Sequence, residues 1–333
     1  MHTATRLKTC RRVHFGHLAL PAFTLIELVV VLTIVSILAS LTLAGLAGTR
    51  QRAKIDKTKS TIRKLHELIV PHYETYLRRR VKMAGTSGPA GRLIRTRQLV
   101  MFEMPDSWSD VPVGNPSNLK LLRSTQSDGS IVNSGFVSDH AWNGVTQGYA
   151  SYYESLRLLR GNELFRQQFP SSECLYMIVS RGLGEPDLME QFRSDEIGDV
   201  DDDKAPEFID GWGQPIAFIR WPVGFSSPIQ SQNAALQPDP FDPFNVSAAV
   251  AYPATLQRDY AVTPLIISGG PDGAFSQFGV AFSPLPGWHP ALFGSPPLSL
   301  TLRSGHAPNE VPGQEKDAAV AADNITNHDL LAK

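Results

Sequence analysis

The sequence lacks the short motifs by which common enzyme classes are recognised. It contains no Gly-x-Ser-x-Gly, no phosphate-binding loop and no dinucleotide-binding loop. The pair His66-Glu67 does not begin a zinc-protease motif, because Val70 stands where the second histidine would be needed. We therefore expect a protein that is not an enzyme.

The chain also has few cysteines and a net charge close to zero. Of the two cysteines, Cys10 and Cys174, the second lies in an apolar stretch that is typical of a buried structural thiol. The formal net charge of the chain is −1. Four of the 31 Lys and Arg residues lie in residues 1–22, which leaves 27 basic against 32 acidic residues in the remainder. This balance predicts no nucleic-acid partner.

One long apolar segment, residues 23–48, reads FTLIELVVVLTIVSILASLTLAGLAG. A helix needs about 20 apolar residues to cross a hydrocarbon core of about 30 Å, so this segment is long enough. Its single charge is Glu27, and a carboxylate inside a membrane helix is costly and usually functional. Residues 1–22 have no acidic residue and hold only basic charges, at Arg6, Lys8, Arg11 and Arg12. The positive-inside rule then predicts a cytoplasmic N-terminus and an extracytoplasmic remainder.

The order of basic leader, Phe-Thr-Leu-Ile-Glu and apolar helix resembles the N-terminus of type IV prepilins and type II secretion pseudopilins. In that family a membrane peptidase cuts before the Phe and methylates the new amino terminus, and the subunits polymerise through their helices. The resemblance implies cleavage between Ala22 and Phe23, N-methylation of Phe23, and a role for Phe23 and Glu27 in assembly. Ala22 departs from the glycine that the family nearly always has before the cut.

Glu27 also has a physical argument of its own. In an isolated membrane helix we expect its carboxylate to lack a partner and to be desolvated at a cost. A cation that every copy of the subunit can supply to a neighbouring Glu27 is the amino terminus created at Phe23. We therefore expect an intermolecular Glu27–Phe23 pair that sets the register of a growing filament. A plain signal anchor, which is the other interpretation of the segment, has no use for Glu27.

The resemblance implies a structural subunit of a type II secretion pseudopilus or a type IV pilus. It would cross the bacterial inner membrane once, with the N-terminus in the cytoplasm and the head in the periplasm. Its partners would be the prepilin peptidase, copies of itself, other pilin-like subunits, an inner-membrane assembly platform and the lipid bilayer. The alternative is a single-pass, membrane-anchored extracytoplasmic binding or enzymatic protein, which would keep an intact N-terminus.

The expected fold is α+β and type IV pilin-like: a long N-terminal helix packed on a small antiparallel sheet, with a head enlarged by helical and loop insertions. After the membrane segment, apolar residues recur at spacings of three, four and seven, which predicts an amphipathic continuation of the helix. Pro71 is expected to kink this helix or end a segment. Strands are expected at 215–221, 261–268 and 278–282. The predicted divisions are a leader at 1–22, a transmembrane helix at 23–48, its amphipathic continuation at 49–83, an inserted loop and helical region at 84–198, an acidic loop and sheet region at 199–303, and a disordered tail at 304–333.

An acidic stretch at 199–210, DVDDDKAPEFID, follows the spacing of a calcium loop. Lys204 stands at position 6, where such loops have glycine, and position 12 has an aspartate instead of the longer glutamate. A solvated acidic turn is the alternative to a Ca²⁺ site. The candidate ligands stand at positions 1, 3, 5, 9 and 12 of the loop: Asp199, Asp201, Asp203, Glu207 and Asp210.

Two further phrases, DGWGQP at 210–215 and SGGPDG at 268–273, are similar to the Asp-x-Trp-Gly-x-Pro and Ser-x-Gly-x-Asp-Gly phrases of major type II secretion pseudopilins. They favour the secretion pseudopilus over the adhesive pilus. The second phrase belongs to a loop near a calcium ion in that family, which implies Asp272 as a ligand. A structural interpretation is favoured for the first: Gly211 and Gly213 permit a turn, Trp212 covers the core and Pro215 starts an edge strand.

Overall fold

The computed structural model describes residues 24–79, 88–108, 120–121, 124–125, 131–132, 136–137, 152, 155, 158–159, 168–183, 186–231, 233, 235–246, 260–276 and 313–331. The predicted processing residues Ala22 and Phe23 lie outside this set, as does the predicted strand at 278–282. The chain forms two compact units, Met1–Gln51 and Arg52–Lys333, which are described separately.

Helix α1 (Leu25–Thr75) is a single 51-residue helix that begins in the first unit. Its large apolar side chains from Leu25 to Leu46 are exposed in the isolated chain. By length and composition the helix could span a membrane, a test that a signal sequence also passes. Its most apolar window is not buried at all, unlike the core helix of a soluble protein.

In the second unit, α1 carries the predicted apolar stripe into the core. Ile62, Leu65 and Ile69 are fully buried there. Pro71 lies inside α1 and does not end it, since the helix continues to Thr75. A proline so near the C-terminus removes one N–H donor from the last turns and leaves the rest of the ladder intact. The predicted helical range 49–83 is nevertheless too long, because residues 76–78 form a turn.

The predicted insertion combines helices with short β-ladders. Helix α2 spans Gly88–Glu103. Strand β1 (Lys120–Leu121) pairs antiparallel with β4 (Phe136–Val137), and β2 (Ser124–Thr125) pairs antiparallel with β3 (Ile131–Val132). Helix α3 (Pro170–Met177) begins with proline near its first position and runs into a π-helical turn, Ile178–Gly182. Two 3₁₀ turns follow, Pro186–Gln191 and Ser194–Glu196.

The described residues from 197 onward include five short strands. Strand β5 (Ile197–Gly198) pairs antiparallel with β6 (Glu207–Phe208), so that the acidic loop lies between them. A three-stranded antiparallel sheet has the order β7-β8-β9, formed by Ala217–Ile219, Leu265–Ser268 and Ile325–Thr326. A 3₁₀ turn, Gly270–Asp272, follows β8. Helix and antiparallel sheets together confirm the coarse α+β layout.

The predicted disorder of the tail, residues 304–333, is wrong for residues 313–331, the part of that range that the structure describes. Residues 313–331 contain helix α4 (Ala318–Ala321), strand β9 and helix α5 (Asn327–Leu331). Asn327 is fully buried: its Oδ1 accepts from the Ile266 N–H at 2.9 Å, and its Nδ2 donates to the Pro264 carbonyl at 3.0 Å. The polar composition that suggested disorder therefore serves buried hydrogen bonds instead of solvation.

Candidate functional site

The acidic loop closes on itself through hydrogen bonds from its backbone N–H groups to the side chain of its first residue. The Asp199 carboxylate accepts from the N–H groups of Asp203 and Lys204, each at 3.0 Å. Lys204 has φ of 77°, in the left-handed region that L side chains occupy at a cost of roughly 1–2 kcal/mol. The loop thus departs from the calcium pattern in residue type at position 6, while its backbone there has the conformation for which glycine is selected.

Five carboxylates converge in and beside this loop. They form two overlapping groups: Asp199, Asp201 and Glu207, and Glu173, Asp201 and Asp203. Within each group every residue offers one carboxylate oxygen, and these oxygens lie within 4.8 Å of one another. Oxygens bound to one Ca²⁺ at about 2.3–2.6 Å are separated by at most about 5 Å, so each group has the size of a cation's ligand shell.

Several oxygens of these groups are buried and have no hydrogen-bond partner among the residues that the structure describes. They are Oε1 of Glu173, Oε1 of Glu207 and both carboxylate oxygens of Asp201. Glu173 is 2% exposed and Glu207 is fully buried. Such orphaned groups usually cost about 1–3 kcal/mol each unless a partner satisfies them. Because the donors are all hard oxygens, the cluster could hold a metal ion.

Burial is also the main cause of the electrostatic properties of the cluster. It raises the pKa of Glu173 to about 9 and the pKa of Glu207 to about 8. The pKa of Asp201 is raised first by burial and then by the neighbouring Asp203 and Asp199 charges. A cation would reverse these shifts, since it stabilises the ionised carboxylates that burial disfavours.

Glu173 is the member of the cluster that sequence reasoning missed. It comes from helix α3, and the indole N–H of Trp108 donates to its Oε2. The sequence did carry a weak signal, because Glu173 is the single charged residue of the α3 segment PSSECLYM. Loop spacing alone could not connect a helix residue to an acidic loop that follows 26 positions later in the chain, at Asp199.

Asp210 and Asp272 belong to neither group among the residues that the structure describes. Asp210 Oδ1 accepts from the N–H groups of Trp212 at 2.8 Å and Gln214 at 3.0 Å, and its Oδ2 accepts from the Ser268 hydroxyl at 2.7 Å. Asp272 is exposed and its Oδ1 accepts from the Ala274 N–H at 2.8 Å. Both side chains stabilise turns and lie outside the two groups, and their assignment as ligands stays a prediction.

The turn after the acidic loop packs on helix α1. The Gly211 N–H donates to Thr58 Oγ1 at 2.9 Å. Gly213 has φ of 84°, which suits glycine in this turn. Trp212 is partly buried against the main core, and Pro215 is buried and forms an isolated bridge with Ile209. These contacts give the four motif residues packing and turn roles.

At the other end of the chain, Glu27 has a partner in its own helix. Its Oε2 accepts from the Thr24 N–H at 2.9 Å and from the Thr24 hydroxyl at 2.8 Å, while its own N–H donates to Thr24 Oγ1 at 3.3 Å. This reciprocal arrangement is a capping box. It corrects the expectation of an unpartnered carboxylate, and the Thr-x-x-Glu spacing in the sequence was the signal for it.

Hydroxyl groups along the apolar part of α1 are satisfied within the helix. Thr33 and Ser40 donate to carbonyls three residues earlier, each at 2.8 Å, and Ser36 donates to the Leu32 carbonyl at 2.7 Å. A hydrocarbon environment requires such internal partners, because no water is present to supply them.

Comparison with known proteins adds no family. The chain matches no protein-family model, and it has no significant match among curated proteins or among solved structures.

Proposed function

We propose that this protein is a pilin-like structural subunit, anchored by helix α1 and assembled into a filament through that helix. The observation that carries the proposal is a single acidic residue, Glu27, in the first turn of a continuous 51-residue helix with an exposed apolar segment. Exposed apolar surface of this extent must be covered by lipid or by neighbouring helices. Lipid alone would suffice for a passive anchor, whereas Glu27 gives the helix a polar group to pair within an assembly.

The proposed sequence of events begins with a prepilin peptidase, which cuts between Ala22 and Phe23 and methylates Phe23. The processed subunit then remains in the bacterial inner membrane, with its head in the periplasm, until it is assembled. An assembly platform adds it to a type II secretion pseudopilus or a type IV pilus, beside its own copies and other pilin-like subunits. The phrases at 210–215 and 268–273 favour the secretion pseudopilus.

The Thr24 contacts refine the proposed role of Glu27. A carboxylate has about four acceptor sites, and the two bonds from Thr24 both go to Oε2. The amino terminus of Phe23 from a neighbouring subunit can therefore bind the same carboxylate while the capping box stays closed. The cap would hold the carboxylate in place before the neighbour arrives.

Two substitutions at Glu27 separate assembly from capping. Glutamine can close a capping box but carries no negative charge, whereas alanine removes both functions. We expect Glu27→Gln and Glu27→Ala both to abolish filament formation in cells, while Thr24→Ala still assembles. Normal filaments from Glu27→Gln would contradict the ionic pair. Absence of filaments from the unsubstituted protein would favour a membrane-anchored binding or enzymatic protein.

We further propose that the ion of the acidic cluster is Ca²⁺. Its support is a set of five carboxylates, four of which lie at the spacing of a calcium loop. Ca²⁺ takes about six to eight oxygen ligands from such loops, whereas Mg²⁺ usually keeps several waters and binds one or two carboxylates. The test is calorimetric titration of the detergent-solubilised full chain with CaCl₂ and with MgCl₂. We expect saturable Ca²⁺ binding, a higher melting temperature with Ca²⁺, and weaker binding of Mg²⁺. No response to Ca²⁺ would contradict the proposal.

A further inference from the structure

We infer that the acidic loop does not hold the cation alone: Glu173 of helix α3 is also a ligand, and the bound ion joins the loop to the helix. This inference rests on the proposed Ca²⁺ site of the head and is independent of filament assembly. It assigns a binding function to a residue outside the calcium-loop pattern.

The first observation is the state of the Glu173 side chain. It is 2% exposed, and its Oε1 has no hydrogen-bond partner in the described ranges of the chain. One of its carboxylate oxygens lies within 4.8 Å of oxygens from Asp201 and Asp203. Ionised carboxylates placed this close repel one another, and a cation between them would offset the repulsion and give the unsatisfied oxygens a partner.

Another buried carboxylate shows how this protein satisfies such a group with its own residues. Glu196 is 1% exposed, and it accepts from Lys64 Nζ at 2.8 and 3.0 Å and from Thr61 Oγ1 at 2.7 Å. The Arg193 N–H adds a further bond at 2.7 Å. Within the part of the chain that the structure describes, Glu173 has no ion pair of this kind. The contrast indicates that its cation comes from solution.

Trp108 positions the Glu173 carboxylate. Its indole N–H donates to Oε2, which leaves Oε1 as the oxygen without a partner. Trp108 is itself buried, so its ring orientation is restricted. Trp108 is thus a positioning residue, which acts on the ion through Glu173.

Solvent can approach this group of residues through a neighbouring cavity. The cavity has a volume of 280 Å³ and is lined in part by Trp108, Glu173, Lys204 and Pro206. It therefore touches the helix and the loop that the ion would join. A metal site inside a folded head needs such an approach for a hydrated ion.

The experiment compares Ca²⁺ binding by the detergent-solubilised full chain with that of two glutamine variants. Glu173→Gln removes the inferred ligand, and Glu190→Gln removes an exposed acidic residue outside both groups. By calorimetry we expect Glu173→Gln to weaken Ca²⁺ affinity at least tenfold and Glu190→Gln to bind like the unsubstituted protein. Equal affinity of Glu173→Gln and the unsubstituted protein would overturn the inference and leave the loop site standing.

A stability measurement in EDTA excludes misfolding as the cause. Glutamine has nearly the size and shape of glutamate and places no charge in this buried position, so Glu173→Gln should melt in EDTA no lower than the unsubstituted protein. If this variant fails to fold, Glu173→Asp decides: it keeps the charge on a shorter stem, and Ca²⁺ affinity equal to that of the unsubstituted protein would overturn the inference. Failure of the unsubstituted protein to bind Ca²⁺ would overturn both cation proposals without touching filament assembly.

Tryptophan fluorescence supplies a readout that a purely structural role of Trp108 would not give. Ca²⁺ bound at Glu173 changes the charge beside the Trp108 indole, so we expect a Ca²⁺-dependent emission change that saturates with the calorimetric binding curve. Trp108→Phe should lose this change while still binding Ca²⁺ with lower affinity. An unchanged emission signal in Trp108→Phe would contradict the assigned geometry.

Discussion

Gly211 lies so close to Lys54 that a Cβ on Gly211 would overlap the Lys54 carbonyl oxygen and lie 2.7 Å from the Lys54 Cα. The Gly211 N–H also donates to Thr58 Oγ1, one turn further along helix α1. The turn that follows the acidic loop is therefore held on the helix by backbone contact that leaves no room for a side chain. This relationship fixes the end of strand β6 and the loop before it on the amphipathic segment of α1.

Gly211→Ala should lower the free energy of unfolding by about 1–3 kcal/mol, because neither the helix backbone nor the turn can move aside at no cost. The measurement is thermal or urea unfolding of the solubilised protein. Gly48→Ala is the control, since a Cβ at Gly48 would meet no atom within 4 Å. Equal stability of the Gly211 variant and the unsubstituted protein would show that the close approach is not maintained in solution.

Substitution of Asp201 and substitution of Asp210 should differ in how their effect on stability depends on Ca²⁺. Asp201→Asn removes a converging charge, so the protein should be no less stable in EDTA and should lose most of its Ca²⁺-induced rise in melting temperature. Asp210→Asn should lose about 1–3 kcal/mol with or without Ca²⁺, because an amide cannot accept all the bonds from Trp212, Gln214 and Ser268.

The exposed Asp272 serves as the control for this pair. Asp272→Asn should leave the Ca²⁺-induced rise in melting temperature unchanged. The opposite result would contradict the site described above: Asp272→Asn loses the Ca²⁺-induced rise in melting temperature and Asp201→Asn keeps it. Asp272, in the segment 268–273, would then be a Ca²⁺ ligand and Asp201 would not.

Asn327 is expected to anchor the C-terminal segment. Asn327→Ala leaves the Ile266 N–H and the Pro264 carbonyl without their partner, which should cost at least about 2 kcal/mol of unfolding free energy. Asn233→Ala is the matched control, since Asn233 is exposed and its Oδ1 accepts from the nearby Ala235 N–H. Urea unfolding compares the two, and similar small losses would indicate that β9 contributes little to the sheet.

His328 should make folding sensitive to acid. Burial lowers its pKa from 6.5 to about 4, with Nδ1 at 2.8 Å from the Ser227 hydroxyl and Nε2 at 3.2 Å from the Thr263 carbonyl. As the pH falls below about 6.5 the unfolded chain takes up the proton before the folded one. The stability linked to a neutral His328 is therefore full above pH 6.5 and is lost progressively towards pH 4, by up to about 3 kcal/mol.

The check is urea unfolding between pH 7.5 and pH 4.5 for the unsubstituted protein and for His328→Gln. The variant has no imidazole at this position, so its stability should fall less over that interval. The same fall in both proteins would mean that other groups carry the acid sensitivity.

Local patterns in the sequence predicted those features that local structure determines. The apolar spacing of residues 55–76 predicted the buried face of α1, and the alternating carboxylates predicted a loop whose oxygens converge. The Thr24–Glu27 cap is equally local, and its Thr-x-x-Glu spacing could have predicted it. The prediction considered only the cost of placing the Glu27 carboxylate in a membrane. Lys204 occupies the position where calcium loops have glycine, which disfavoured a calcium loop in the sequence. Its backbone nevertheless has the left-handed conformation that glycine would adopt there.

Contacts between distant parts of the chain could not be predicted in this way. Strand β9 pairs Ile325 with Ser268, and nothing in a short polar tail specifies such a partner. Glu173 joins the acidic cluster only because helix α3 packs beside strands β6 and β7. Asp272 matched a family phrase by position, yet its side chain caps a turn at the surface. Tertiary packing, which periodicity does not record, decides each of these cases.

The central claim is tested most directly by the intact mass of the protein purified from its native membrane, with its N-terminal residue identified by mass spectrometry. A pilin-like subunit is predicted to begin at an N-methylated Phe23, with residues 1–22 removed. A chain that still begins at Met1 would contradict prepilin processing and would favour a membrane-anchored protein whose head carries the function.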